Sequence, residues 1–433
     1  MINQIDMAIP LLGGRGWLGG VSYIELLVRA LVSMSPQNRP RLTGVVFEHN
    51  LDDFDLYSSY IHCFDRLIFW GSDIGRAQQF LGPTYCLTTF NELFKLVDFY
   101  FPVGADIIPG QCAASWIADF QHIHLPENYS DEILKYRDLK FREIADKAQM
   151  IILSSNDVKM DFQRLYPWTR AKIRIQRFHS LPRQEWYKDD PESVKQKYAL
   201  PDRFLICCNQ FWKHKNHLLL FNTIRMLRDM GNPVHLICTG STTDNKDTTE
   251  YFKEVRSYLA KHGLESLVRI LGIIPRNDQI QLIRLSLAVV QPSLFEGWST
   301  VVEDSRVLGK PIFLSDLAVN MEQNPPFAVF YQRNSAEALF IALSRHLPLL
   351  KPGPDHLKEK WAQGTVAPLI RDFALNTCCI ALESVITFGR WSRSKPSLKQ
   401  ICAYFPDEMF KSYLKHYVSI YPDCGFTDNT EFH

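Results

Sequence analysis

Between Val290 and Gln323 the chain reads VQPSLFEGWSTVVEDSRVLGKPIFLSDLAVNMEQ, and the order of signals in this stretch constrains the fold more than any other feature. The apolar run Leu287 to Val290 stops at Pro292 and Ser293, a short loop carries Glu296 and Gly297, and a helix start falls at Ser299 or Thr300. Gly309-Lys310-Pro311 then punctuates the chain before a second apolar run, PIFLSDL. Strand, loop, helix and strand in that order build a parallel sheet, where ligands sit beyond the carboxyl ends of the strands. A helix start at that edge turns backbone N–H groups and a positive dipole end toward an anion, and Gly297 permits close backbone approach.

The same rhythm runs through the chain. Apolar segments at 5–12, 42–49, 66–71 and 97–104, then MIILSSNDV, KIRIQRFHS, RFLICCNQF, VHLICTGS and RILGIIP, alternate with helical patterns. This is the alternation of a doubly wound α/β sheet, and 433 residues suffice for two or three domains. The proline-bounded, charge-rich stretch Leu181 to Pro201 is where a linker between domains is expected. With 46% hydrophobic and 22% charged residues and a net charge of +1, the composition is that of a soluble globular protein with no nucleic acid or other bulk polyanion as partner. No apolar run approaches the ~18 to 20 residues needed to span a bilayer, and no basic region with an apolar core opens the chain, so a cytoplasmic location is expected. The ten cysteines include adjacent pairs in apolar runs and show no metal-ligand spacing, which predicts reduced, buried thiols and no metal site.

Pro292-Ser293, then Glu296-Gly297, an acid one helical turn on, and Gly309-Lys310-Pro311 resemble the nucleotide-sugar signature of the group 1 (family four) retaining glycosyltransferases of the GT-B fold. The resemblance covers roughly residues 1 to 386 and is densest from 204 to 323. It implies two Rossmann-like doubly wound domains facing across a cleft, with a C-terminal helical extension. Its boundaries are an acceptor-side domain at 1–183, a linker at 184–201, a nucleotide-sugar domain at 202–350, a helical region crossing the cleft at 351–389, and a tail at 390–433. The implied reaction moves a sugar from a UDP- or GDP-sugar to a hydroxyl of a glycan or lipid-linked acceptor, with retention at the anomeric carbon, in polysaccharide assembly. The departing diphosphate takes the acceptor proton, and no cofactor or metal is required. Two other readings stay open: a sugar-nucleotide-binding protein with little catalysis, and a GT-B epimerase acting on the nucleotide sugar. Oligomeric state, donor sugar and acceptor are not readable.

The resemblance also assigns residues. Glu296 orients the donor sugar, with Gly297, Trp298, Ser299 and Thr300 beside it. The family's second acid stands eight positions on, at Asp304, on the ribose. Glu303 stands at seven and has a structural alternative, a Thr300-x-x-Glu303 capping box. Lys215 grips the diphosphate, but the family's arginine position holds Gln210; either Lys213 or His214 replaces that charge, or Lys213-His214-Lys215 is an exposed loop. Gly272 lets the backbone reach the base. In the first domain, the loop GGRGWLGG, with Gly19 and Gly20 at its end, faces the substrates. Asp119, His122 and His124, set in an apolar strand-to-loop transition, bind sugar hydroxyls or support the diphosphate; the alternative for either histidine is packing. Beyond Gly389, Arg390, Trp391, Arg393 and Lys395 form a basic, aromatic segment that suits either peripheral contact with anionic lipid or a solvated connector.

Overall fold

A computed structural model describes residues 4–243, 246–389, 392, 397–405 and 407–426. The chain divides into two compact units, one of residues 1–119, 131–178 and 368–433 and the other of residues 120–130 and 179–367.

In the first unit, β1 (Asp6–Pro10), β2 (Arg41–Phe47), β3 (Arg66–Trp70), β4 (Tyr85–Leu87) and β5 (Phe99–Tyr100) form a parallel sheet in the order β4-β3-β2-β1-β5. A second parallel set, β6 (Ala114–Ile117), β7 (Met150–Leu153) and β8 (Lys172–Ile175), is ordered β6-β7-β8, and a bridge between Tyr100 and Ala113 connects the two. Strands β1, β6 and β7 are buried along their whole length, as a sheet covered on both faces requires.

The C-terminal segment is fastened to this unit. Arg174, fully buried on β8, donates from Nε to Glu383 Oε2 at 2.7 Å, and Tyr417 Oη donates to the same oxygen at 2.6 Å. Lys172 Nζ stands 3.2 Å from Glu383 Oε1, and Asp423 accepts from Arg174 Nη2 at 3.0 Å. The helix Glu408–Ile420 buries Phe410, Leu414 and Tyr417, an i, i+4, i+7 stripe. The helix Glu408–Ile420 is thus part of the first unit's core. The segment Arg390, Trp391, Arg393 and Lys395, by contrast, lies outside the described residues.

The second unit holds β9 (Phe204–Cys208), β10 (His235–Thr239), β11 (Val268–Ile270), β12 (Val289–Gln291), β13 (Ile312–Ser315) and β14 (Ala328–Tyr331), all parallel, in the order β11-β10-β9-β12-β13-β14. Counted from β9 this is 3-2-1-4-5-6, the doubly wound order, and the direction of winding reverses between β9 and β12. The helix His217–Asp229 buries Leu220, Phe221, Ile224 and Leu227 against this sheet. Each such side chain contributes roughly 1.5–3 kcal/mol by leaving water.

Residues 184–201, expected as a linker, instead form two helices of the second unit, Gln184–Lys188 and Pro191–Lys197. Asp190 caps the second through the Glu192 amide, Pro191 opens it, and Trp186 and Val194 are buried. Its many charges disguise a short apolar face. The C-terminal helix runs unbroken from His356 to Thr387 with Pro368 inside it.

All ten cysteines are free thiols. No helix among the described residues is long and apolar enough to cross a membrane. Among the described residues no group of three His, Cys, Asp or Glu side chains is placed to hold a metal ion.

Candidate functional site

The reversal of winding leaves the loops after β9 and β12 side by side, and both carry charge. Lys215 ends the 3-10 turn Lys213–Lys215 that follows β9, while Glu296 lies in the loop after β12. Lys215 Nζ meets Glu296 Oε1 at 2.6 Å, and both side chains are nearly buried. Gln291, the last residue of β12 and fully buried, donates from Nε2 to the same Glu296 oxygen at 2.8 Å. Asn209 in turn donates to Gln291 Oε1 at 2.9 Å, and the Leu294 amide donates to the His214 carbonyl at 2.7 Å. The carboxylate is therefore oriented from the sheet edge, not left to solvent. Gln291 was not singled out in the sequence; its signal is a polar residue closing an otherwise apolar strand.

His214 does not replace the missing arginine charge. Burial, with Lys215 next to it, holds its pKa well below the usual imidazole value, and its Nδ1 accepts from Gln121 Nε2 at 2.8 Å. Lys213 is exposed at the surface, and Gln210 is half-buried in the loop leaving β9.

The helix Thr300–Val307 follows Glu296. The capping box that is the alternative reading of Thr300 and Glu303 is not formed: the helix is capped at Ser299 without a side-chain bond, and Thr300 is its first residue. Gln323 takes that place, accepting from the Ser299 amide at 3.0 Å and donating to the Ser299 carbonyl at 3.1 Å, so one donor of the helix start is already satisfied. Glu303 does not bond the Thr300 or Ser299 amide and is fully buried. It contacts His179 Nδ1 at 2.8 Å, Arg306 Nε at 3.1 Å and Gln323 Nε2 at 3.0 Å. Burial pushes its carboxyl up, but His179 and Arg306 outweigh this and hold it below the ordinary value.

Asp304, also fully buried, is gripped by both guanidinium nitrogens of Arg276, with Nη1 to Oδ2 at 2.7 Å, and it accepts from Ser180 Oγ. Arg276 opens the helix after β11 and lies over the Trp186 ring. Neighbouring residues on one helix thus serve different partners: Glu303 belongs to a structural network around Gln323, whereas Asp304 stands under a partly exposed arginine. Gly272 lies just after β11, and its carbonyl accepts from the Gly240 amide at 2.9 Å. Trp298 and Ser299 are buried, and Gly297, between Glu296 and Trp298, is half-buried.

In the first unit, Gly19 and Gly20 do not lie in a loop. The helix Leu18–Val32 has already begun, so both sit in its first turn. A Cβ at Gly20 would come within 2.8 Å of the Trp17 ring, which folds back over the helix, and one at Gly13 within 2.5 Å of the Val21 amide nitrogen. The glycines are required by this close approach. Trp17 is half-exposed and stacks on Trp116 with ring centroids 6.1 Å apart. Asp119, also in this unit, pairs with Arg137 at 3.0 Å. His122 and His124 lie on the short helix Gln121–His124 of the second unit, His122 buried and His124 5.1 Å from the Phe295 ring.

Comparison with known proteins agrees with this architecture. The family model of glycosyl transferases group 1 matches residues 189–347, the span holding Lys215, Glu296, Glu303 and Asp304. The crystal structure of Anabaena Alr3699/HepE in complex with UDP and glucose superposes with a TM-score of 0.55 at 15% identity, covering 90% of this chain and 99% of that one. Sucrose-phosphate synthase from Thermosynechococcus elongatus gives 0.53 at 12% identity, with 88% and 97% covered. WaaG, a glycosyltransferase involved in lipopolysaccharide biosynthesis, gives 0.51 at 12% identity, with 88% and 99% covered. No curated protein matches the sequence. The fold is GT-B: two Rossmann-like parallel-sheet units and a C-terminal helical part.

Proposed function

We propose that the protein is a glycosyltransferase that moves a sugar from a nucleoside diphosphate donor to an acceptor hydroxyl with retention of configuration. The observation that carries this reading is the Lys215–Glu296 pair at the winding reversal of a 3-2-1-4-5-6 sheet. A cation and a carboxylate at the C-terminal strand edge suit the two ends of a sugar diphosphate. Lys215 neutralises charge developing on the leaving diphosphate, and Glu296 accepts hydrogen bonds from the sugar hydroxyls. The match to the group 1 family and the UDP bound in Anabaena Alr3699/HepE support the same reading.

In this reading Asp304 receives the ribose hydroxyls once Arg276 turns aside, and Gly272 lies by the base. Lys215 supplies the charge that a divalent ion supplies in other transferases, so chelator leaves turnover unchanged. The acceptor is a glycan or lipid-linked sugar. Calorimetry with UDP and GDP, followed by product analysis with a panel of nucleotide sugars and acceptors, tests the proposal. Nucleotide binding lost in Lys215→Ala, and product of unchanged anomeric configuration, support it; a wild-type chain that binds neither nucleotide overturns it.

A further inference from the structure

Beside Lys215 but separate from the Lys215–Glu296 pair, the second unit carries an open cavity of about 660 Å³, within the ~300–1,000 Å³ range of ligand pockets. Its walls come from three elements. Trp212 precedes the 3-10 turn of Lys213–Lys215; Tyr251, Glu250 and Glu254 lie on the helix Lys246–Lys261; Glu127 and Tyr129 come from the 3-10 turn Pro126–Asn128 and the residue after it. The Gln121–His214 hydrogen bond ties the 120–130 segment to the loop after β9, so the cavity adjoins the proposed diphosphate position through a single residue step, His214 to Lys215.

The lining has a definite chemistry. Three aromatic residues, Tyr129, Trp212 and Tyr251, and three carboxylates line it together with one lysine, Lys213; one of the three carboxylates, Glu250, is paired with Lys253 at 2.8 Å. His214 adds no charge, because it is held neutral. Surplus negative charge repels phosphate, so a second nucleotide or a phosphorylated sugar is disfavoured. A pyranose suits both parts of the wall: its C–H face packs on an aromatic ring, and its hydroxyls donate to carboxylates, which only accept.

We propose that this cavity is a saccharide subsite that holds an unphosphorylated, neutral or amino sugar of the acceptor. As an acceptor subsite it rests on the transferase reading, whereas its binding of sugar does not. Saturation-transfer NMR on the full chain with the methyl glycosides of glucose, galactose, mannose and glucosamine, and with glucose 6-phosphate, tests it alongside UDP calorimetry. The expected result is transfer to at least one methyl glycoside and none to glucose 6-phosphate. That signal falls at least fivefold in both Trp212→Ala and the surface variant Glu254→Ala, while the UDP dissociation constant stays within twofold. No signal from any glycoside, undiminished signal in both variants, or preference for glucose 6-phosphate overturns the subsite. A chain that binds glycoside through Trp212 and Glu254 but does not bind UDP supports the sugar site and removes the transferase reading instead.

Discussion

Lys215 Nζ and Glu296 Oε1 lie 2.6 Å apart although 81 residues separate them in the chain. The contact exists because β9 and β12 are neighbours where the sheet reverses its winding. In the proposed reading, a donor diphosphate approaching Lys215 would draw the lysine from Glu296 and free the carboxylate for the sugar. Glu296→Gln keeps the shape and removes the charge, and a charge-assisted hydrogen bond is worth about 1.5–3 kcal/mol. Turnover is expected to fall by about 10- to 100-fold with an unchanged circular dichroism spectrum; steady-state kinetics check it, and full activity would remove Glu296 from the site.

Lys215 and Gln210 differ in charge, so their truncations should differ in cost. Lys215→Ala is expected to lower activity more than Gln210→Ala. Gln210→Arg exchanges a neutral hydrogen bond for a charged one, a gain of about 1 kcal/mol, or roughly fivefold in UDP affinity. Calorimetric titration of the three variants with UDP decides this, and unchanged affinity in Lys215→Ala would end the assignment.

Asp304 and Glu303 are separated by their partners. Asp304→Asn should raise the UDP dissociation constant tenfold or more, whereas Glu303→Gln should leave it within about twofold and lower the urea midpoint, because it disturbs His179, Arg306 and Gln323. The reverse pattern would transfer the ribose contact to Glu303.

Lys310 is buried with its amine donating to the Arg284 carbonyl at 2.8 Å, and burial lowers its pKa to about 7 from an ordinary 10.5. Between these values the unfolded chain holds a proton that the folded chain has released, so this group makes folding more favourable as pH rises through that window. Lys310→Met removes the dependence. Urea unfolding at pH 7, 8 and 9 should show wild type gaining stability relative to Lys310→Met; a pH-independent difference would refute it.

Glu383 serves Arg174, Lys172 and Tyr417 at once in the first unit. Glu383→Ala strands a buried guanidinium and is expected to cost about 3–5 kcal/mol in urea unfolding, with UDP affinity of the folded chain unchanged. A loss below about 1 kcal/mol would show that the tail's attachment does not depend on this network.

The order of strands and helices was legible in the sequence wherever apolar runs were long: β1, β2, β3, β7, β9, β10, β12 and β13 all fall on segments whose composition alone marks them. Glu296 and Gly297 were legible as loop residues at a strand end because local punctuation places them there, whereas Lys215 was picked out by the resemblance to the group 1 glycosyltransferases. Strands β4 and β14 were not singled out, although β7, β12 and β13 are no longer than these. Nor did local signals settle which side chains the two adjacent acids Glu303 and Asp304 meet. Thr300-x-x-Glu303 is a sound capping pattern, yet Gln323, from a helix two elements later, occupies the helix start, and Glu303 turns to His179 and Arg306. Arg276 on Asp304, Gln291 behind Glu296, and the tail's Tyr417 and Asp423 on the β8 network are likewise decided by tertiary structure. Secondary structure follows from spacing within a few residues, whereas the partner of a buried charge is whichever group the packed chain brings within about 3 Å of it, and no local pattern encodes that.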